Sequence, residues 1–157
     1  MKLLIFNGFL TLVWVALTGV FTPANFGAGF ILGFIMLSLA QSVFGNSNYA
    51  LRGIKLVRLV LYFLWELLRA NIRVALDIIT PKNYMVPGII RIPLDARSDI
   101  EISLLAYIIS LTPGSLCVDV SEDRKNMYVH AMYVEDANEF RREIKNGFER
   151  RLLEVLR

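Results

Sequence analysis

Between residues 54 and 80 a mostly apolar run carries Lys55, Arg58, Tyr62, Glu66, Arg69, Arg73 and Asp77. They recur every three or four residues, which places them on one face of an α-helix within a sector of roughly 100°. Glu66 is the sharpest chemical candidate among them. A carboxylate set in an apolar helix beside a membrane could carry protons or cations. The plainer reading is structural: Arg69 and Arg73 lie on the same face and would neutralise it. Asp77, four residues after Arg73, reads as an ordinary helical ion pair. Glu66, Arg69 and Arg73 therefore stand as the polar candidates of this helix.

The remaining reactive residue types do not converge. The single histidine, His130, sits in the run MYVHAMYV and the single cysteine, Cys117, in SLCVDV. One Cys and one His make neither a metal site nor a nucleophile–base pair without further ligands. Asp95, Asp99, Asp119 and Asp123 are scattered through loops and strand ends, where aspartates serve as caps and turn residues. There is no glycine-rich phosphate loop, no G-x-S-x-G elbow and no metal-ligand pair. We expect no catalytic residue, no cofactor and no resident metal, and hence no enzyme.

The elements that must position these residues begin with two apolar segments. Residues 3–21 are uncharged and about as long as a helix needs to cross ~30 Å of hydrocarbon. A second apolar segment, residues 26–44, carries Gly27, Gly29 and Gly33, small residues of the kind that let membrane helices approach closely. With Thr22 and Pro23 breaking the run between them, residues 1–48 read as a transmembrane hairpin. A signal peptide is the competing reading; the length of the first run and the second run right behind it argue against one. Gly45–Asn48 is a polar break, and residues 49–81 form the long amphipathic helix. That helix either lies in the membrane interface or makes a third span. Spanning would put Glu66 near the bilayer centre, at a cost of at least ~2.5 kcal/mol, so we expect it to be interfacial. Tyr49, Tyr62, Trp65 and Tyr84 bracket it, as interface aromatics do.

Residues 82–157 read as a small α+β domain of order β-α-β-β-α, three strands with two helices on one face, ferredoxin-like but lacking a last strand. Ile90, Ile92 and Leu94 define the inner face of the first strand. Ser98 and Glu101 form a capping box at the start of an almost uniformly apolar helix, which should be covered on two sides. In the next strand Leu116, Val118 and Val120 are expected to point inward. The last helix presents Phe140, Ile144, Phe148, Leu152 and Val155 to the core, with Arg141, Glu143, Lys145, Glu149 and Arg150 on its wet side.

Charge orients the whole. Of the 157 residues 55% are hydrophobic, too many for an ordinary soluble domain of this length. Residues 1–51 hold one charged side chain, Lys2; residues 52–91 hold seven basic and two acidic ones; residues 92–157 hold nine basic and twelve acidic ones. The net charge of +3 is therefore a basic belt beside the apolar segments, while the globular part is acidic. That excludes a nucleic-acid surface on the domain. By the positive-inside rule both ends of the hairpin face the cytoplasm, and an interfacial long helix leaves the C-terminal domain there too.

The segments FLWELLRANIRVALDIITP, VPGIIRIPLDARSDIEISLLAYIISLTPGSLCVDVSEDRKNMYVHAMYVED and FRREIKNGFERRLLEV resemble the E subunit of the Mrp-type multisubunit cation/proton antiporter. LTLVWVALTG and PANFGAGFILGF in the apolar hairpin are also similar, so the resemblance covers nearly the whole chain. It implies a plasma-membrane complex of several different subunits that exchanges Na+, or K+ in some members, for H+. The ion paths would lie chiefly in the large subunits, with this chain an accessory or structural subunit needed for assembly or activity. Its partners would be the other subunits and the lipid bilayer. Cys117 stands where small aliphatic residues are usual in that family. The residues alone leave a second reading open, a membrane-anchored interaction or regulatory module unrelated to transport.

Overall fold

The computed structural model describes residues 2–40, 49–81 and 85–157. The end of the expected second span, the polar break at 45–48 and Tyr84 lie outside the described residues. The chain divides into two compact units, Met1–Ile54 and Lys55–Arg157.

The first unit is built on two antiparallel helices, α1 (Lys2–Thr18) and α2 (Pro23–Leu39), and includes the start of α3 (Tyr49–Ile79). The apolar run stops earlier than its composition suggests, because Gly19 takes a φ of 67° and its N–H donates to the carbonyl of Val15. Pro23 does not end a helix; it opens α2 at the first helical position, behind an N-cap at Thr22. Each helix is 17 residues long, about 25 Å. Among the described residues no helix is long and apolar enough to cross a membrane; α1 covers residues 3–18 of the span expected at 3–21, and α2 covers residues 26–39 of the one expected at 26–44.

Asn25 clips the turn. Its Nδ2 donates to Thr18 Oγ1 (2.6 Å) and to the Val20 carbonyl (2.7 Å), and its Oδ1 accepts from Trp14 Nε1 (3.0 Å). The glycine face works at two of its three positions. A β-carbon at Gly29 would meet Trp14 Cδ1 at 2.8 Å, one at Gly33 would overlap Asn7 Oδ1, and Gly27 is open. Asn7 is fully buried and donates to the Phe30 carbonyl (3.3 Å) and to the Tyr49 hydroxyl (3.1 Å).

In the second unit α3 continues beside a three-stranded antiparallel sheet of order β1-β3-β2, formed by β1 (Gly88–Pro93), β2 (Ser115–Val120) and β3 (Asn126–Ala131). One face of the sheet is packed by α4 (Asp99–Leu111) and by a C-terminal helix. That helix runs as α5 (Ala137–Glu143), a π-helical stretch (Ile144–Glu149) and α6 (Arg150–Leu156). Ile90, Ile92, Met127, Val129, Leu105, Ile109, Ile144, Phe148 and Leu152 form the core, and Leu59 of α3 joins it. The capping box at Ser98 and Glu101 forms as expected.

Three expectations fail here, each for a local reason. In β2 the register shifts between Cys117 and Asp119, so Val118 is an extra residue. The bulge turns Leu116 and Val118 outward, 53% exposed each, with Cys117 inward and only Val120 as expected. Glu149 is not on the wet side but 1% exposed. The core stripe 140, 144, 148, 152 advances by four residues, a step that drifts ~40° per turn on an α-helix. The wider π turns take up that drift and swing Glu149 inward. Finally, α4 is covered on one side only: Ile102, Leu105 and Ile109 are buried, while Ile100, Leu104, Tyr107 and Leu111 stay exposed in this chain.

Both sheet edges are closed by the chain itself. On β1 the carbonyls of Arg91 and Pro93 accept from Arg141 Nε and Lys145 Nζ, both at 2.9 Å. On β2 the N–H groups of Ser115, Cys117 and Val120 go to the Thr112 carbonyl, Ser110 Oγ and Asp119 Oδ1. Strand addition, the usual hazard of a missing fourth strand, has few free groups to use.

Candidate functional site

The polar stripe of α3 turns toward its own domain and lines a cleft of about 230 Å³. Tyr62, Glu66, Arg69 and Arg73 supply one wall. The other comes from the α4–β2 loop (Thr112, Gly114), Tyr133 and the C-terminal helix (Glu143, Phe148). Gly147 makes the approach possible, since a β-carbon there would overlap the Tyr62 hydroxyl. Tyr62 packs edge-on against Phe148 (5.2 Å, 69°), and the Arg151 guanidinium lies 4.0 Å from the Tyr62 ring centre. Gly114, at φ 83°, makes the turn that brings its carbonyl to Met132 N (2.8 Å) beside Tyr133.

The anticipated neutralisation of Glu66 does not take place. Among the described residues no ion pair joins Glu66, Arg69, Arg73 or Glu143 to another charged group. Arg73 instead lies over the Tyr133 ring at 5.4 Å, and Asp77 accepts the Tyr133 hydroxyl at 3.3 Å. Desolvation, then the neighbouring Asp77 carboxylate, push the Tyr133 phenol above its ordinary pKa. Opposite charges thus surround one cleft without meeting.

The buried carboxylates have other work. Glu149 Oε1 accepts the N–H groups of Asp95 (2.6 Å) and Ala96 (3.0 Å), and its Oε2 faces Lys145 Nζ at 2.9 Å. Desolvation lowers the Lys145 ammonium's pKa, but its bonds to Asp95 and Glu149 outweigh that and hold it above its ordinary value. Glu101, 8% exposed, accepts from Arg157 Nε at 3.0 Å and from the N–H of Arg97 at 2.8 Å. The bond from Arg157, chiefly, holds the Glu101 carboxyl at about 2.

His130 and Cys117 are kept apart. Cys117 opposes Val129 and faces inward, while His130 lies on the uncovered sheet face between Ile89 and Leu116. Burial, then the Asp119 carboxylate, push the Cys117 thiol up, the opposite of what a nucleophile requires. Among the described residues no group of three or more His, Cys, Asp or Glu side chains could hold a metal ion. Asp119 and Asp123 bond neighbouring N–H groups, and Asp99 pairs with Arg124 at 2.5 Å. Sequence reasoning missed Tyr133, Glu143 and Thr112, which only the fold brings to α3. Asn7 had a signal, a lone amide early in an apolar run.

A family model described as a Na+/H+ ion antiporter subunit matches residues 7–155. The chain belongs to that family. Within it, the Na+/H+ antiporter E subunit of Bacillus subtilis (strain 168) is 35% identical over 98% of both chains. The E subunit of Alkalihalophilus pseudofirmus is 35% identical over 97% of this chain and 96% of its own. Among solved structures, a chain of the Mrp complex from Dietzia sp. DQ12-45-1b is 26% identical, with a TM-score of 0.51 over 65% of this chain and 96% of its own. A chain of the membrane-bound sulfane sulfur reductase, an archaeal respiratory membrane complex, is 25% identical, with a TM-score of 0.59 over 97% and 98%. The antiporter-subunit family match thus takes in both compact units.

Proposed function

We propose that this chain is an accessory subunit of a multisubunit Na+/H+ antiporter in the cell membrane, binding neighbouring subunits and carrying no covalent chemistry of its own. The observation that carries the reading is the family match over residues 7–155, with E-subunit relatives at 35% identity. In this reading residues 1–48 form a hairpin inserted in the bilayer, residues 49–81 lie in its cytoplasmic interface, and residues 82–157 form the cytoplasmic domain.

Surface chemistry supports each part. Leu4, Ile5, Phe9 and Leu17 of α1 and Ile31, Ile35 and Met36 of α2 are exposed, more apolar surface than a water-soluble helix pair presents. The paired helices are short, which a bilayer accommodates by local thinning. On α3, Leu61, Leu64, Leu68 and Ile72 are exposed opposite the side that packs on the domain, as in an interfacial helix. On α4, Ile100, Leu104, Tyr107 and Leu111 follow a spacing of four, three and four, that of a seam for a partner helix. Ion transfer belongs to the partner subunits, and the cation they exchange is Na+ or K+.

Two measurements test this. The purified chain alone in vesicles with a pH dye should give no sodium-driven proton flux; flux without partners would overturn the accessory role. A tag after Arg157 should be reachable only from the cytoplasm; external labelling would make residues 54–80 a third span.

A further inference from the structure

We infer that the cleft between α3 and the α+β layer binds the headgroup of a zwitterionic, primary-ammonium phospholipid, with Arg69 and Arg73 on its phosphate and Glu66 and Glu143 on its ammonium. This rests on the interfacial reading of α3.

The first argument is charge. Elsewhere on this unit, opposite charges that come close form pairs: Lys145 with Asp95 at 2.6 Å, Arg124 with Asp99 at 2.5 Å, Arg157 with Glu101 at 3.0 Å. Around the cleft they do not, although Glu66 and Arg69 are three residues apart on one helix face. A simple anion would match the two guanidiniums and be repelled by the two carboxylates. A simple cation would do the reverse. A ligand with one charge of each sign, a few bonds apart, satisfies both pairs.

The second argument is position. Arg69 and Arg73 are exposed, and Arg69 lies at the edge of the polar stripe nearest the bare Ile72. Tyr62 and Leu59 pack on the domain, while Leu61, Leu68 and Ile72 are bare. A helix lying with its bare side ~5–10 Å deep in the headgroup–acyl boundary holds such an edge residue at the level of the phosphates, with Arg73 one turn along the stripe beside it. The third is size. At about 230 Å³ the cleft is below the ~300 Å³ where pockets for drug-sized ligands begin. It takes a headgroup, with the acyl chains left to run along the bare side of α3.

The test uses the full chain in its detergent-purified complex. The complex is offered equal amounts of phosphatidylethanolamine, phosphatidylcholine and phosphatidylglycerol with identical acyl chains, and the retained lipid is counted by native mass spectrometry. Phosphatidylethanolamine should be retained in preference to both others. Arg73→Gln should weaken its retention about tenfold, the loss of one charge-assisted contact. Glu143→Gln should erase the preference over phosphatidylglycerol, which lacks the ammonium, and both side chains reach the cleft from the surface. Equal retention of the three lipids by the wild type, or unchanged preference in both variants, would overturn the inference. The tag after Arg157 separates the two levels. Cytoplasmic labelling without headgroup preference overturns the lipid site alone, and external labelling overturns the interfacial reading beneath it.

Discussion

Replacing Glu149 by alanine tests whether the π-helical turn holds the domain together. Its carboxylate accepts two backbone N–H groups at the start of the β1–α4 loop, from Asp95 at 2.6 Å and Ala96 at 3.0 Å, and faces Lys145 at 2.9 Å. A hydrogen bond to a charged acceptor contributes about 1.5–3 kcal/mol net, and a buried N–H left without a partner costs a further 1–3 kcal/mol. The carboxylate's own desolvation offsets part of this, so Glu149→Ala should destabilise the second unit by about 3–5 kcal/mol. For a unit of this size that is a fall in Tm of roughly 15–25 °C. Glu149→Gln keeps an oxygen for the two N–H groups and loses only the charge facing Lys145, about 1–2 kcal/mol, so it should melt between alanine and wild type. The assay is a thermal melt of the detergent-solubilised chain, followed by circular dichroism. A Glu149→Ala protein melting within about 3 °C of wild type would show that the buried carboxylate is not what secures the loop to the helix.

Two other perturbations follow from the geometry. Gly33→Ala places a β-carbon on Asn7 Oδ1 and should cost about 1–3 kcal/mol of helix pairing, seen as lower yield of assembled complex. Gly27→Ala, where nothing lies within 4 Å, should assemble like wild type. The Glu101 carboxyl is held at about 2, below its ordinary 4.5. Its contribution is therefore fully present above pH 4.5 and lost as the pH falls from there toward 2. Arg157→Ala removes the main cause of the depression, so less stability should be lost across that same window in urea unfolding at stepped pH values.

Much of the local structure follows from sequence because it depends on neighbours three or four residues away. The 3.6-residue rhythm of Lys55 to Asp77 fixed α3, and Ser98 with Glu101 fixed the start of α4. The alternation of Ile90 and Ile92 gave β1 its inner face. The apolar runs announced two packed helices, although where the first one stops depended on the left-handed turn at Gly19. The family resemblance was legible for the same reason, since it rests on contiguous motifs.

What the tertiary structure decided depends on single-residue shifts and on long separations, which no local pattern encodes. One extra residue at Val118 reversed the side to which part of β2 points. A stretch of π turns carried Glu149 from the solvent side into the core. Arg157 reached Glu101 across 56 residues, and Tyr133 met Asp77 at the same separation. The polar stripe of α3 was plain in the sequence, but what it faces was not. Glu66, Arg69 and Arg73 gained a shared cleft with Glu143 and Tyr133 only because the sheet and the C-terminal helix fold back against them. Periodicity determines which side chains share a face, and packing alone determines what that face meets.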